Sequence, residues 1–125
     1  MTRFRSRDYA LVFAGGSIGA LLRYGVGGTL ELIVGASMAG SLSLVIVNVA
    51  GALALGVFSA NPRFASEDSQ SFWAAGFCGG FTTMSGVALF LYQPQSIALT
   101  TVMFGLGFIG FALGANLGKA SGARK

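Results

Sequence analysis

The residues of this sequence best placed to do chemistry sit inside an apolar run, Gly76-Phe-Cys-Gly-Gly-Phe-Thr-Thr-Met-Ser-Gly-Val-Ala-Leu-Phe90. Gly79-Gly80 and Thr82-Thr83 disfavour a continuous helix, because glycine loses the most backbone freedom when fixed and threonine is stiff at its branched carbon. A break there leaves carbonyls without intrahelical donors, and in hydrocarbon such backbone survives only where protein buries it or where it lines a cavity. Unwound carbonyls can coordinate a cation such as sodium. The break therefore predicts a site.

Two more polar groups stand in apolar surroundings. Asn48, in Leu44-Val-Ile-Val-Asn-Val-Ala-Gly51, offers two amide donors and a carbonyl acceptor. It serves either as an interhelical hydrogen bond or as a lining group of a polar path. Arg23, in Gly15-Gly-Ser-Ile-Gly-Ala-Leu-Leu-Arg-Tyr24, lies about 21 Å into its span at the usual helical rise, which puts it towards one interface. It either snorkels or draws anions into a vestibule.

Several chemistries are excluded by what is missing. There is no His and one Cys in 125 residues, so the chain alone builds neither a protein-ligated zinc site nor an internal disulfide. Cys78 reads as a small buried hydrophobe. No carboxylate falls inside a span, since Asp8 and Glu31 sit at span ends and Glu67 and Asp68 in a loop. A proton-coupled exporter needs an acid within the membrane, and no catalytic constellation is present. The expectation is passive conduction by a protein that is not an enzyme.

The elements that must position these groups are membrane helices. The chain is 54% apolar and 10% charged with mean hydropathy +0.73, against about a quarter charged in soluble domains. A span needs roughly 20 mostly apolar residues. Between Ser69 and Gly118 no charge occurs, and Gln93-Pro94-Gln95 divides that stretch in two. The spans are placed at about 9–30, 40–60, 72–92 and 96–117, as a single domain, all-α, with the third span broken mid-membrane. A basic start before an apolar run also suits a cleavable signal peptide, but three further spans favour an inserted protein.

Of eight Lys and Arg, Arg23 lies in a span and Arg3, Arg5, Arg7, Arg63, Lys119, Arg124 and Lys125 fall on one side of a four-span chain. These flanks do not form a nucleic-acid face, and no nucleic-acid partner is expected. The connections at Glu31–Gly40 and Gln93–Gln95 carry no Lys or Arg. The positive-inside rule then makes both termini cytoplasmic, in a cell (inner) membrane. Glycines recur at helical spacing, Gly15 with Gly19, Gly76 with Gly80, and Gly110 with Gly114 and Gly118, so close helix packing in lipid is expected. A four-span bundle of this size needs a partner to enclose anything.

Over nearly its whole length the chain resembles the Fluc/CrcB family of fluoride channels, on Gly15 to Tyr24, Val47-Asn48-Val-Ala-Gly51 and, most specifically, Gly76 to Ser85. The resemblance implies subunits paired antiparallel in the bilayer, with two narrow pores for the fluoride ion and a structural, untransported sodium ion between them. It implies that carbonyls of Gly79 and Thr82 hold the sodium and that Asn48, Thr83 and Ser85 line the anion path, with Arg23 in the vestibule. Amide and hydroxyl donors suit fluoride, which is strongly hydrated and dehydrates only where donors replace its water.

The sequence departs from the family where phenylalanines are expected. The family's Thr-Thr-Phe-Ser-Thr-Phe is here Thr82-Thr83-Met84-Ser85-Gly86-Val87, so ring edges that would face an anion give way to Met84 and Val87 on one helical face. The fourth span is poor in hydroxyls after Thr101. A homodimer whose copies point both ways needs a near-neutral charge bias, which this chain lacks. The expectation is a heterodimer with an oppositely oriented paralogue, in which one pore has decayed. Alternative readings are a non-conducting structural subunit of such a pair and a small multidrug exporter.

Overall fold

Gly35 makes the first corner of the chain almost unaided. In the computed structural model, which describes residues 5–93 and 96–123, helices Ser6–Val34 and Ala36–Ala60 meet at this one residue, whose φ is +81°. That left-handed value is open to glycine without a Cβ penalty. Its N–H donates to Glu31 O at 3.0 Å, and its own carbonyl accepts from Ala39 N at 3.1 Å. The connection expected over Glu31–Gly40 thus shrinks to a point, because nothing else in that stretch stops a helix.

Four helical segments are long and apolar enough to cross a membrane, namely Ser6–Val34, Ala36–Ala60, Glu67–Leu91 and Ser96–Gly122. The first, at 29 residues, is about 43 Å long and exceeds the roughly 30 Å hydrocarbon core. Helix therefore continues past the apolar stretches from which the spans were placed. At its start the Asp8 carboxylate accepts Arg5 N–H at 2.8 Å, the charge sign a helix N-terminus favours. Among the described residues the chain contains no strand.

The second and third spans are joined by a short, well-bonded connection. Buried Asn61 accepts Arg63 N–H on Oδ1 at 3.0 Å and starts a 3-10 turn over Pro62–Phe64. Ser66 Oγ then accepts Ser69 N–H at 3.2 Å and caps the third span. The third span is wound as a π-helix over Gln70–Cys78, where Gln70 Nε2 donates to Phe58 O at 2.9 Å and to Phe64 O at 2.6 Å. No residue pattern announced this widened winding. Stretches of this kind are rare and cluster at functional sites. The turn at Gln93-Pro94-Gln95 lies partly outside the described residues, as do Arg3, Arg124 and Lys125.

The glycine spacing does what lipid packing requires. The first helix lies against the first half of the third span with backbones nearly touching, and a Cβ at Gly80 would collide with the Gly16 carbonyl while one at Gly76 would stand 2.8 Å from Val12 O. Gly15 and Gly19 face the carbonyls of Phe72 and Phe77 in the same seam. A second seam joins the second and fourth helices, where a Cβ at Gly114 would strike the Leu53 carbonyl and one at Gly118 would come within 2.7 Å of Val57 O. Helices that close gain dispersion contacts, the main attraction available where lipid is as apolar as the side chains. The core is correspondingly small, with Leu44, Val87 and Met103 at its centre, and large apolar side chains such as Phe13, Leu32 and Phe108 point outward.

Both ends of the described chain lie with the 61–66 connection at one end of the bundle. Arg7 Nη2 pairs with Asp68 Oδ2 at 2.6 Å, and a Cβ at Gly122 would stand 2.9 Å from Pro62 Cγ. The exposed ion pair contributes under about 1 kcal/mol, so it marks the geometry more than it stabilises it.

Candidate ion site at the broken third span

The break falls at Thr82-Thr83, between helical turns Gly79–Phe81 and Met84–Leu91. Thr82 (φ −80°, ψ 164°) and Thr83 (φ −145°, ψ 111°) are extended. Gly79 remains helical at φ −63° and ψ −37°, so the threonines make the break, Gly80 packs against the first helix and Gly79 stands open, contrary to the shared role expected of them. The mechanism is local. Thr82 Oγ1 donates to Cys78 O at 2.9 Å, and Thr83 Oγ1 accepts Gly86 N–H at 3.0 Å. Thr83 is thus the N-cap of the second half-helix, and threonine is among the better residues there.

Asn48 bridges the gap from the second helix. Its Oδ1 accepts Thr83 N–H at 3.0 Å. In an unbroken helix that N–H would go to Gly79 O, so Asn48 takes the donor which that carbonyl loses. Its Nδ2 donates to Leu44 O at 2.9 Å and reaches Thr83 O at 3.5 Å and Met103 Sδ at 3.7 Å. Both amide ends are engaged within the chain. These contacts include an interhelical hydrogen bond to the third span.

Arg23 bonds to the same peptide from the other side. Its Nη1 donates to Thr82 O at 3.0 Å, so a guanidinium from the first helix and an amide from the second hold consecutive residues of the break. The helix starts at Ser6, which places Arg23 about 26 Å along it and only partly buried.

The remaining expected site residues divide. Ser85 is exposed and its hydroxyl lies 3.2 Å from Thr83 Oγ1. Met84 is 67% exposed while Val87, at 2%, is part of the core, yet both line one cavity of about 400 Å³ with Asn48, Met103 and Phe108. That cavity is apolar except for Asn48. Gly79 is exposed, with open space beside it.

A cation at the break would meet an uneven donor set. Gly79 is exposed and its carbonyl has lost the Thr83 N–H, which goes to Asn48, whereas Thr82 O already faces a guanidinium. A carbonyl has two lone pairs, so ion and guanidinium would share this oxygen. Hard cations such as calcium take about six to eight oxygens, so two carbonyls make at most part of a site. No group of three or more His, Cys, Asp or Glu exists among the described residues to hold a metal instead.

A second cavity of about 350 Å³ lies between the first and second helices, lined by Arg23 and Thr83 and, near the Gly35 corner, by Glu31 and Ala36; sequence reasoning offered Arg23 a vestibule but missed its other walls. The signal was available, since Arg23, Gly27 and Glu31 recur every four residues on one helical face.

Comparison with known proteins places this geometry in a family. A family model described as CrcB-like protein, Camphor Resistance (CrcB), matches residues 10–118. The chain belongs to this family, and with its four spans it is a multi-pass membrane protein. It is 32% identical to the fluoride-specific ion channel FluC 2 of Corynebacterium jeikeium over 88% of this chain and 78% of that one. It is 31% identical to FluC 2 of Bacillus licheniformis, over 95% and 96% of the two chains. With FluC 2 of Bacillus subtilis it shares 37% identity over 89% and 87%. No solved structure matches the chain.

Proposed function

We propose that this chain is a subunit of a fluoride channel, which lets the anion leave the cytoplasm passively and so gives fluoride resistance. The observation that carries this is the break at Thr82-Thr83, held by Asn48 and Arg23 in a chain of the CrcB family whose relatives are named fluoride-specific ion channels. The subunit pairs antiparallel with an oppositely oriented paralogue. Support comes from the one-sided Lys and Arg distribution, which leaves both termini cytoplasmic, and from relatives whose names carry the number 2. A structural sodium ion between the two subunits would draw on Gly79 O and Thr82 O, its other ligands coming from the partner.

A specific observation favours a second reading, in which this chain is the non-conducting member of the pair. Its Asn48 amide is engaged by Leu44 and Thr83, and Met84 and Val87 stand in the cavity beyond it without hydrogen-bond donors to replace an anion's water, so that only the ring edges of Phe104, Phe108 and Phe111 could face an anion there. The exporter reading gains nothing from membership in this family. Liposomes containing the purified pair separate the two: efflux that persists when the partner's pore residues are disabled assigns a working pore to this chain, and its abolition assigns the structural role.

A further inference from the structure

Four basic residues, Arg5, Arg7, Arg63 and Lys119, stand at the end of the bundle where the first helix begins, the fourth ends and the 61–66 connection runs. Three acids share that end, and each is accounted for. Asp68 pairs with Arg7 at 2.6 Å, the Asp8 carboxylate accepts Arg5 N–H at 2.8 Å, and Glu67 opens the third span, where a helix N-terminus favours a carboxylate. Arg63 and Lys119 are exposed, and neither has a carboxylate within 4 Å among the described residues.

The fold brings these two cations together on a firm base. Buried Asn61 fixes the turn by accepting Arg63 N–H at 3.0 Å, Gln70 Nε2 donates to Phe64 O at 2.6 Å, and Phe64 packs edge-on against Phe58 with ring centroids 4.9 Å apart. A Cβ at Gly118 would stand 3.2 Å from Asn61 N and one at Gly122 2.9 Å from Pro62 Cγ, so the last turns of the fourth helix rest on the two residues before Arg63. Lys119 is three residues from Gly122, which makes them neighbours on the helix surface, about 5–6 Å apart at Cβ. Two cations from different elements therefore flank one contact.

We propose that Arg63 and Lys119 form a clamp for the phosphate of an anionic phospholipid, which holds the end of the fourth helix to the 61–66 connection. The fourth helix has 27 residues and is about 40 Å long, so its end passes the roughly 30 Å hydrocarbon core and lies at headgroup depth. A guanidinium gives a phosphate two parallel N–H bonds, and an ammonium adds a point charge. General attraction of basic residues to one side of a membrane requires no such pairing and no fixed turn between them. The clamp involves no residue of the break, so it stands or falls apart from the channel reading.

The test takes the full chain, purified with its partner, and titrates phosphatidylglycerol against phosphatidylcholine in detergent, with bound lipid counted by native mass spectrometry. Substitutions are made in this chain alone, so lipid held by the partner cancels. Each basic residue near an anionic headgroup is worth about fivefold in binding, so Arg63→Gln and Lys119→Gln should each cut the preference for phosphatidylglycerol by that factor, and the two together should abolish it. Both side chains are exposed, so neutralising them leaves folding intact. Arg5→Gln removes the same charge from the same end and should leave the preference nearly unchanged. Gly122→Leu removes no charge but pushes the fourth helix off Pro62, and should lower the preference as the single neutralisations do. An equal loss from Arg5→Gln overturns the clamp in favour of diffuse attraction, and a preference that survives the double substitution overturns it outright. Displacement of the lipid by excess inorganic phosphate would make this a site for free phosphate and reject the lipid as its occupant.

Discussion

Thr83 donates its backbone N–H to Asn48 Oδ1 at 3.0 Å. The bond joins the second helix to the interruption in the third, and the Arg23 bond to Thr82 O adds the first helix. In hydrocarbon an unsatisfied backbone group costs several kcal/mol, so a mid-membrane break survives only with partners of this sort. The chain supplies them itself.

Asn48→Ala should therefore destabilise the fold as well as any flux. Losing the acceptor leaves a part-buried N–H unsatisfied at a cost of about 1–3 kcal/mol. Thermal unfolding of the purified chain in detergent should show the loss in the absence of a partner. Unchanged stability with abolished flux would return Asn48 to the role of an anion ligand and reject the bracing account.

Much of this architecture was legible in the sequence, for physical reasons that differ by element. Apolar runs pointed to four membrane helices, the later three charge-free and the first carrying Arg23, because each is long enough for the bilayer. The glycine repeats located both packing seams, since at Gly80 and Gly114 even a methyl group would meet backbone. The break was visible at Gly79 to Thr83, but its division of labour was not. A threonine that caps and a glycine that packs look alike in an apolar run, and only the hydrogen bonds of Thr82 and Thr83 tell them apart. The π winding of Gln70–Cys78 left no compositional trace. Arg23 was expected at an interface or in a vestibule. It does line a cavity, and its bond to Thr82 O across 59 residues was beyond reading from local pattern.

Sodium provides a second test of the break. Exchanging sodium for a large organic cation should weaken the assembled pair, read as faster subunit dissociation in detergent, because repulsion between facing carbonyls would go unrelieved. Arg23→Gln removes the competing donor from Thr82 O and should strengthen the pair's response to sodium. A pair indifferent to sodium in both forms would leave the Arg23 guanidinium as the only cation the break requires.

The proposed orientation rests on the flanking charges. Among the described residues Arg5, Arg7, Arg63 and Lys119 lie at the ends of spans or in the 61–69 connection, and the rule that counts them concerns short loops and span ends such as these. A C-terminal reporter should be active in the cytoplasm alone. Equal labelling from both faces would mean dual insertion, and a homodimer would replace the proposed paralogous pair.

The contrast between two adjacent glycines separates folding from pairing. Gly80 faces the first helix so closely that a Cβ would overlap the Gly16 carbonyl, whereas beside Gly79 no atom stands within 4 Å of an added Cβ. Gly80→Ala must push two backbones apart, and in a seam held by dispersion that displacement should cost about 1–3 kcal/mol. Gly79→Leu should leave the single chain's thermal stability within about 0.5–1 kcal/mol, the scale of glycine's helix penalty. If the open side of Gly79 is where the partner's break comes to rest, the same leucine should abolish pairing in a cross-linking assay. Intact pairing by Gly79→Leu would move the subunit interface, and any sodium in it, away from the break.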